Sequence, residues 1–171
     1  MAAEKKRYTP QGLLERSQSV LSRVEALPLF QQASQIALYH ALPGEVQTAA
    51  FIERWYKQKA IYLPLVVGDD LRLLRYTGPD SLQKGSFGIC EPKPDGEEAD
   101  EGAIDLIIVP GVAFDRQHNR LGRGRGFYDR LLSSLSAPKV GICFDFQLID
   151  TVPTEPFDRP MDRVVSENFA G

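Results

Sequence analysis

Between Pro110 and Leu132 the sequence reads PGVAFDRQHNRLGRGRGFYDRLL, a segment that carries Arg116, Arg120, Arg123, Arg125 and Arg130. Within it, glycine and arginine alternate from Gly122 to Gly126. Glycines let backbone N–H groups turn toward an anion and let the anion come close. Guanidinium groups add paired bonds to phosphate oxygens, and a following helix adds the positive end of its dipole. A polyphosphate or other polyanionic ligand matches that chemistry. No Gly-Lys-Ser/Thr follows, so this is not a Walker A loop, and the third glycine comes one residue too early for G-x-G-x-x-G. The alternatives are an arginine–glycine contact with RNA or a plain basic loop. Disordered segments of that kind do not usually sit between a buried strand and an amphipathic helix.

Other residues carry weaker signals. Asp129 follows the loop on the first turn of the expected helix, as a salt-bridge partner and dipole complement or as a carboxylate that holds Mg²⁺ against phosphates. Position alone leaves both open. His40 lies in an apolar segment and reads as a core histidine, whereas His118 lies in the basic loop with no placed partner. Cys90 and Cys143 have no partner at metal-ligand spacing and read as small buried hydrophobes.

These residues sit in a chain of 171 residues with 43% hydrophobic and 25% charged residues, the balance of a globular protein and the length of one domain, 1–171. A formal net charge of -3 excludes a histone-like or polybasic coat for nucleic acid or anionic lipid. No apolar run approaches the ~18 residues of a membrane span, and MAAEKKRYTP lacks the apolar core of a secretory signal. The expectation is a small cytoplasmic enzyme, without a nucleic-acid or membrane partner, acting as a monomer.

Stepping along the chain, Thr9-Pro10 offers a cap and a first-turn proline, and Leu13, Leu14, Ser17, Val20, Leu21, Val24 and Leu27 follow at helical spacing until Pro28 stops the run. Gln35 to Leu42 reads as a buried strand, Glu45 to Lys57 as a helix and Ala60 to Val67 as a second strand. Leu71 to Tyr76 reads as the return of an antiparallel edge hairpin. Thr77 to Asp100 is loop, with one short strand at Phe87–Cys90 and a solvated acidic end, DGEEADEG. Ala103 to Val109 is apolar throughout, as a strand buried on both faces requires. A helix around Phe127–Leu135 and strands at Lys139–Phe144 and Arg163–Ser166 complete the series. Helices alternating with buried strands predict an α/β fold: an open, mostly parallel, doubly wound sheet with helices on both faces and an antiparallel edge.

The run Val109-Pro110-Gly111-Val112-Ala113-Phe114-Asp115, followed by Asn119 through Asp129, resembles the signature of the 5-formyltetrahydrofolate cyclo-ligase family. Ile36 to Tyr39 and Leu42 to Thr48 resemble its first strand and the turn into a helix. Phe87 to Pro92 resembles its glycine-isoleucine-x-glutamate-proline element, and Met161 to Val165 its closing aspartate and strand. The matches run in order from about Thr9 to Ser166.

The resemblance implies a ribose-isomerase/CoA-transferase-like sheet. It also implies ATP- and Mg²⁺-dependent cyclisation of 5-formyltetrahydrofolate to 5,10-methenyltetrahydrofolate, with release of ADP and phosphate. Carried over by position, Arg123 and Arg125 are the catalytic arginines. Lys5 and the run Arg120, Leu121, Gly122, Arg123, Gly124, Arg125, Gly126, Phe127 and Tyr128 face ATP. Leu42, Glu45 and Gln47, with Arg123 through Phe127, face the folate, and Asp129 and Asp162 are the metal-side carboxylates. A divergent member that binds nucleotide or folate without turnover is the alternative.

The chain departs from the pattern at Gln47, where the family often has an acid, at His118, where a glycine is common, and at Phe127, which replaces the first of two tyrosines. The family's basic helical start is represented only by Lys5, Lys6 and Arg7, from which weaker ATP binding is expected.

Overall fold

The structure, a computed structural model, describes residues 8–85, 89–124, 126–156 and 158–171. Helix α1 (Pro10–Glu25) starts as its sequence dictates: the Thr9 side chain accepts the Gly12 N–H at 3.0 Å and Pro10 occupies the first turn. Pro28 does more than stop it. Fixed φ and a missing N–H suit a first helical turn, and Pro28 opens a second short helix, α2 (Pro28–Gln32).

Strand β1 (Gln35–Ala37) leads through a loop to α3 (Ala49–Trp55), and β2 (Ala60–Val67) returns antiparallel as β3 (Asp70–Arg75). Strands β4 (Leu82–Lys84) and β5 (Cys90–Pro92) form a separate hairpin. Strand β6 (Leu106–Val109), the small hairpin β7 (Ala113–Phe114) and β8 (Arg120–Leu121), helix α4 (Phe127–Ser134), β9 (Lys139–Ile142) and β10 (Arg163–Val165) follow. The central sheet has the order β10-β9-β6-β1-β2-β3, parallel except for β3.

Alternation along the strands divides the core into two layers. Leu106 and Ile108 pack with Val20, Val24, Phe30 and Ile52 from α1, α2 and α3. Ile107 and Val109 pack with Leu131 and Leu132 from α4 on the opposite face. Helices therefore cover both faces, as a parallel sheet requires. Each fully buried aliphatic side chain contributes about 1.5–3 kcal/mol relative to exposure, and all four residues of β6 are buried.

Sequence expectations shift in the second half of the chain. Strand β6 begins at Leu106 because residues Glu101–Ala103 form a 3₁₀ turn whose Gly102 N–H bonds the Asp100 side chain. The loop from Thr77 to Asp100 holds a two-stranded hairpin rather than one strand; Phe87 and Gly88 of the expected strand lie outside the described residues. Cys143 is fully buried as expected, but Cys90 in β5 is only half-buried. The acidic loop is more than a solvated excursion. Arg75 N donates to Glu97 O at 2.8 Å and Ala99 N to Leu73 O at 2.9 Å, while Arg72 and Arg75 pair with Glu98 and Glu97. The chain end covers the other edge, with Ala170 bridging Val165 and Gly171 exchanging backbone bonds with Val164.

Candidate active site

The sheet changes direction between β1 and β6: the chain proceeds from β1 outward to β2, and from β6 outward to β9 and β10 on the other side. Ligands of open α/β sheets bind at the carboxyl ends of the strands at such a reversal. Two loops leave those ends here, residues 38–48 after β1 and residues 110–126 after β6.

The first loop is tied down by its own side chains. Thr48 Oγ1 donates to Tyr39 O at 2.6 Å, and the Tyr39 hydroxyl donates to Val46 O at 3.1 Å. Leu42 N donates to Glu45 Oε1 at 2.8 Å, with Gly44 at φ +86° between them. The Gln47 amide donates to Leu42 O and Glu45 O. These bonds explain why helical periodicity from Glu45 does not become helix until Ala49, and why β1 ends at Ala37 rather than Leu42. The side chains that would continue regular structure are spent on the loop backbone.

The second loop hangs from a buried carboxylate. Asp115 is fully buried and accepts N–H groups from Gln117 at 3.0 Å, Asn119 at 2.9 Å and Val152 at 2.9 Å, plus the Asn119 side chain at 3.1 Å. Burial pushes its carboxyl pKa up, but these donors outweigh burial and hold it below the ordinary value. His118 sits inside this turn at φ +73°, with its carbonyl accepting Met161 N, so it shapes the loop. Phe114 fills the space beside the turn. A Cβ on Gly141 would stand 2.3 Å from its ring and one on Gly111 2.9 Å away.

From that turn Arg120 projects inward. Its Nε donates to Pro110 O at 2.6 Å and its guanidinium lies 5.0 Å from the Tyr128 ring centroid. Gly122 makes room for this side chain, since a Cβ there would lie 2.9 Å from Arg120 Nη1. Gly124, at φ +91°, has nothing within 4 Å of where its Cβ would be. Gly126, at φ +73°, caps α4 with no side-chain hydrogen bond, so the helix end is left to other acceptors. Arg123 is exposed, and its Nη2 lies 3.6 Å from Glu45 Oε2.

The pair joins the two loops. Glu45, to which Leu42 and Gln47 are bonded, thus meets Arg123, and Tyr128 feels the Glu45 carboxylate. Burial, reinforced by Glu45, raises the phenol pKa values of both Tyr39 and Tyr128, so both remain protonated. Burial lowers the pKa of Arg120, while Tyr128, Asp129 and Glu45 act in the opposite direction. Leu121 pairs in β8 and accepts Val112 N through its carbonyl, and half-buried Phe127 lies under the Arg130 guanidinium. Arg125 and Lys5, with Lys6 and Arg7, lie outside the described residues.

The two aspartates expected beside a metal lie apart in the fold. Asp129 is half-buried on the first turn of α4, where burial and Asp158 push its pKa up against Arg120 and Arg130. Asp162 precedes β10 at the amino end of the parallel strands, where its Oδ2 accepts Lys139 N at 2.7 Å. Among the described residues no three acidic, histidine or cysteine side chains form a metal-binding group. His40 is half-buried, and burial lowers its pKa.

Sequence reasoning missed Tyr39, Thr48 and Ser17 as loop fixings, because nothing in their spacing signals a tertiary contact. Asp115 had a usable signal, since an aspartate a few residues before an asparagine favours a side-chain-bonded turn. No helix among the described residues is long and apolar enough to cross a membrane.

The sequence and the fold are similar to those of known proteins. The chain is 36% identical over 155 residues to the 5-formyltetrahydrofolate cyclo-ligase of Haemophilus influenzae, covering 86% of this chain and 83% of that one. To the Escherichia coli enzyme of the same name it is 34% identical over 166 residues, covering 92% and 91%. The solution structure of Aquifex aeolicus 5,10-methenyltetrahydrofolate synthetase superposes with a TM-score of 0.87 at 36% identity, over 98% of this chain and 86% of that one. A Mycoplasma pneumoniae 5,10-methenyltetrahydrofolate synthetase, at 23% identity and a TM-score of 0.77, shares the fold over 97% and 93%. The model of the 5-formyltetrahydrofolate cyclo-ligase family matches residues 1–167, and the chain belongs to that family.

Proposed function

We propose that this protein cyclises 5-formyltetrahydrofolate to 5,10-methenyltetrahydrofolate at the expense of ATP, in the crevice between the loops after β1 and β6. The observation that carries this reading is the Glu45–Arg123 pair, which brings the folate-side loop and the glycine–arginine loop together at 3.6 Å. A formyl oxygen is a poor leaving group. Its attack on the γ-phosphorus forms an O–P bond and releases ADP; N10 then attacks the activated carbon and loses its proton, and the C–O bond breaks with loss of phosphate.

The protein has to align the formyl oxygen with the γ-phosphate and stabilise spread negative charge. Arg123 and the N–H groups around Gly124 and Gly126 are suited to that, with Arg125 adding a second guanidinium. Arg120, held by Pro110 O and Tyr128, offers a fixed positive charge at the loop's base.

Magnesium fits the donor set at Asp129, a half-buried carboxylate in the field of Asp158 that gains from a cation. When bound there, the ion would neutralise phosphate oxygens alongside a single carboxylate, a common arrangement for Mg²⁺. Asp162 already gives one oxygen to the start of β9.

The test is to mix 5-formyltetrahydrofolate, MgATP and protein and to follow the near-ultraviolet absorbance of the methenyl product. Absence of product with well-folded protein overturns the reading.

A further inference from the structure

Strands β6 and β9 end side by side, with Val109 opposite Gly141 as their last pair. Past β6 the chain runs into the glycine–arginine loop; past β9 it folds into a 3₁₀ turn, Asp145–Gln147. Gln147 closes that turn yet is only 2% exposed. Its Oε1 accepts the Phe144 N–H at 2.9 Å, and its Nε2 lies 3.2 Å from Gly111 O and 3.2 Å from Val112 O. A backbone N–H cannot accept and a carbonyl cannot donate, so both ends of the amide are assigned by chemistry. Its two hydrogens serve carbonyls that lie beyond the last ladder pair of β6.

The turn that carries Gln147 is itself pinned. Asp145 N donates to Glu167 Oε1 at 2.7 Å and Ser166 Oγ donates to Asp145 Oδ1 at 2.6 Å, so the chain end after β10 holds it. On the far side of the amide, Val112 N donates to Leu121 O at 2.7 Å, next to the Ala113–Leu121 pair of β7 and β8. Leu121 leads directly into Gly122 and Arg123. We infer that Gln147 is a positioning residue: its buried amide clamps the root of the loop after β6. Through Val112 and Leu121 the clamp sets where Arg123 and the Gly122–Gly124 backbone meet a phosphate-bearing ligand. Naming that ligand MgATP rests on the cyclo-ligase reading. The amide acts through the loop rather than on the ligand.

Three proteins test this: wild type, Gln147→Met and Gln147→Glu, each studied well below its own unfolding midpoint. Methionine matches the length of glutamine but has no hydrogen to give. Glutamate keeps an acceptor for Phe144 N and has at most one hydrogen to give, so it weakens only the grip on residues 111 and 112. Calorimetric titration with MgATP is paired with KM values for MgATP and for 5-formyltetrahydrofolate. A shift of about 1 Å in a ligand-bearing loop costs up to about a hundredfold. The Kd and KM for MgATP should therefore rise roughly ten- to hundredfold in Gln147→Met, with KM for the folate moving much less. Gln147→Glu should fall between Gln147→Met and wild type. Should Gln147→Met fail to fold, Gln147→Glu carries the same comparison.

A merely structural amide gives a lower Tm and a smaller active fraction with the Kd and both KM values unchanged, and that result overturns the inference. Equal rises in the two KM values overturn it as well. If wild type does not bind MgATP, the cyclo-ligase reading falls and amide hydrogen exchange decides the clamp. The Val112 N–H, bonded to Leu121 O, should then exchange about tenfold faster in the variant, as a local opening does. The Leu38 N–H, bonded to Tyr62 O across the sheet, should keep its wild-type rate. Equal acceleration at both amides, or none at Val112, overturns the clamp.

Discussion

Arg123 Nη2 stands 3.6 Å from Glu45 Oε2, joining a guanidinium that is 53% exposed to a carboxylate that is 7% exposed. The separation is longer than the ~2.7–2.9 Å of a charge-assisted hydrogen bond. Arg123 is thus kept beside the crevice without being locked there. A phosphate that offers shorter, paired bonds can draw it away at small cost.

Replacing Arg123 by alanine should leave the fold nearly untouched. A half-exposed pair contributes about 0–1 kcal/mol, whereas losing a donor aimed at developing charge costs roughly 10²-fold or more in turnover. Thermal melts and the methenyl absorbance assay on one preparation check this. A variant that melts far below wild type yet turns over normally at low temperature contradicts it.

Glu45→Ala behaves differently, because Glu45 is buried and holds the Leu42 N–H. Stranding that donor should cost about 1–3 kcal/mol, visible as a lower midpoint in urea. Glu45→Gln keeps an acceptor for Leu42 and should recover most of the stability while losing the attraction for Arg123.

Gly141→Ala probes the packing behind the loop after β6. The new Cβ would lie 2.3 Å from the Phe114 ring, at a buried position of β9, so Phe114 must move. Overpacking of this kind costs about 1–3 kcal/mol, and about 2–4 °C in Tm per kcal/mol for a chain of this size. Because β7 and the Asp115 turn adjoin Phe114, KM for ATP should rise as well.

Asp115 should govern part of the acid limb of stability. Its folded pKa lies below the ordinary carboxylate value of about 3.9. The unfolded chain therefore binds the proton first on acidification. The contribution is complete above the unfolded pKa and disappears as pH falls through the folded one. Asp115→Asn should lower stability at neutral pH and flatten the curve below about pH 4, as measured by urea midpoints at stepped pH. An acid limb as steep as that of wild type would exclude this role.

The strands most open to sequence reading were those whose pattern is bounded by strong punctuation. Ala60 to Val67 is an apolar run closed by Gly68-Asp69-Asp70, and its limits coincide with β2. The place of the glycine–arginine loop between a buried strand and a helix was legible for the same reason. The loop after β1 was not, because its apolar and polar spacing mimics a helix from Glu45 onward. What diverts it is a set of tertiary bonds from Thr48, Gln47 and Glu45. Strands β4 and β5 have three residues each, too few to display a period. Nor could spacing place Asp162 at the amino end of the strands, because sheet position depends on pairing with Lys139.

The covered edges of the sheet have a consequence for the molecule in a crowded cell. On one side residues 97–99 occupy the hydrogen-bonding positions of β3, and on the other residues 169–171 lie against β10. At Leu73 and Arg75 on one edge and at Val164 on the other, an incoming β-strand would first have to peel away this chain's own backbone. At the β3 edge it would also meet the like charges of Glu97 and Glu98. Open strands are templates for self-association and fibril growth; the acidic loop makes this edge a poor one.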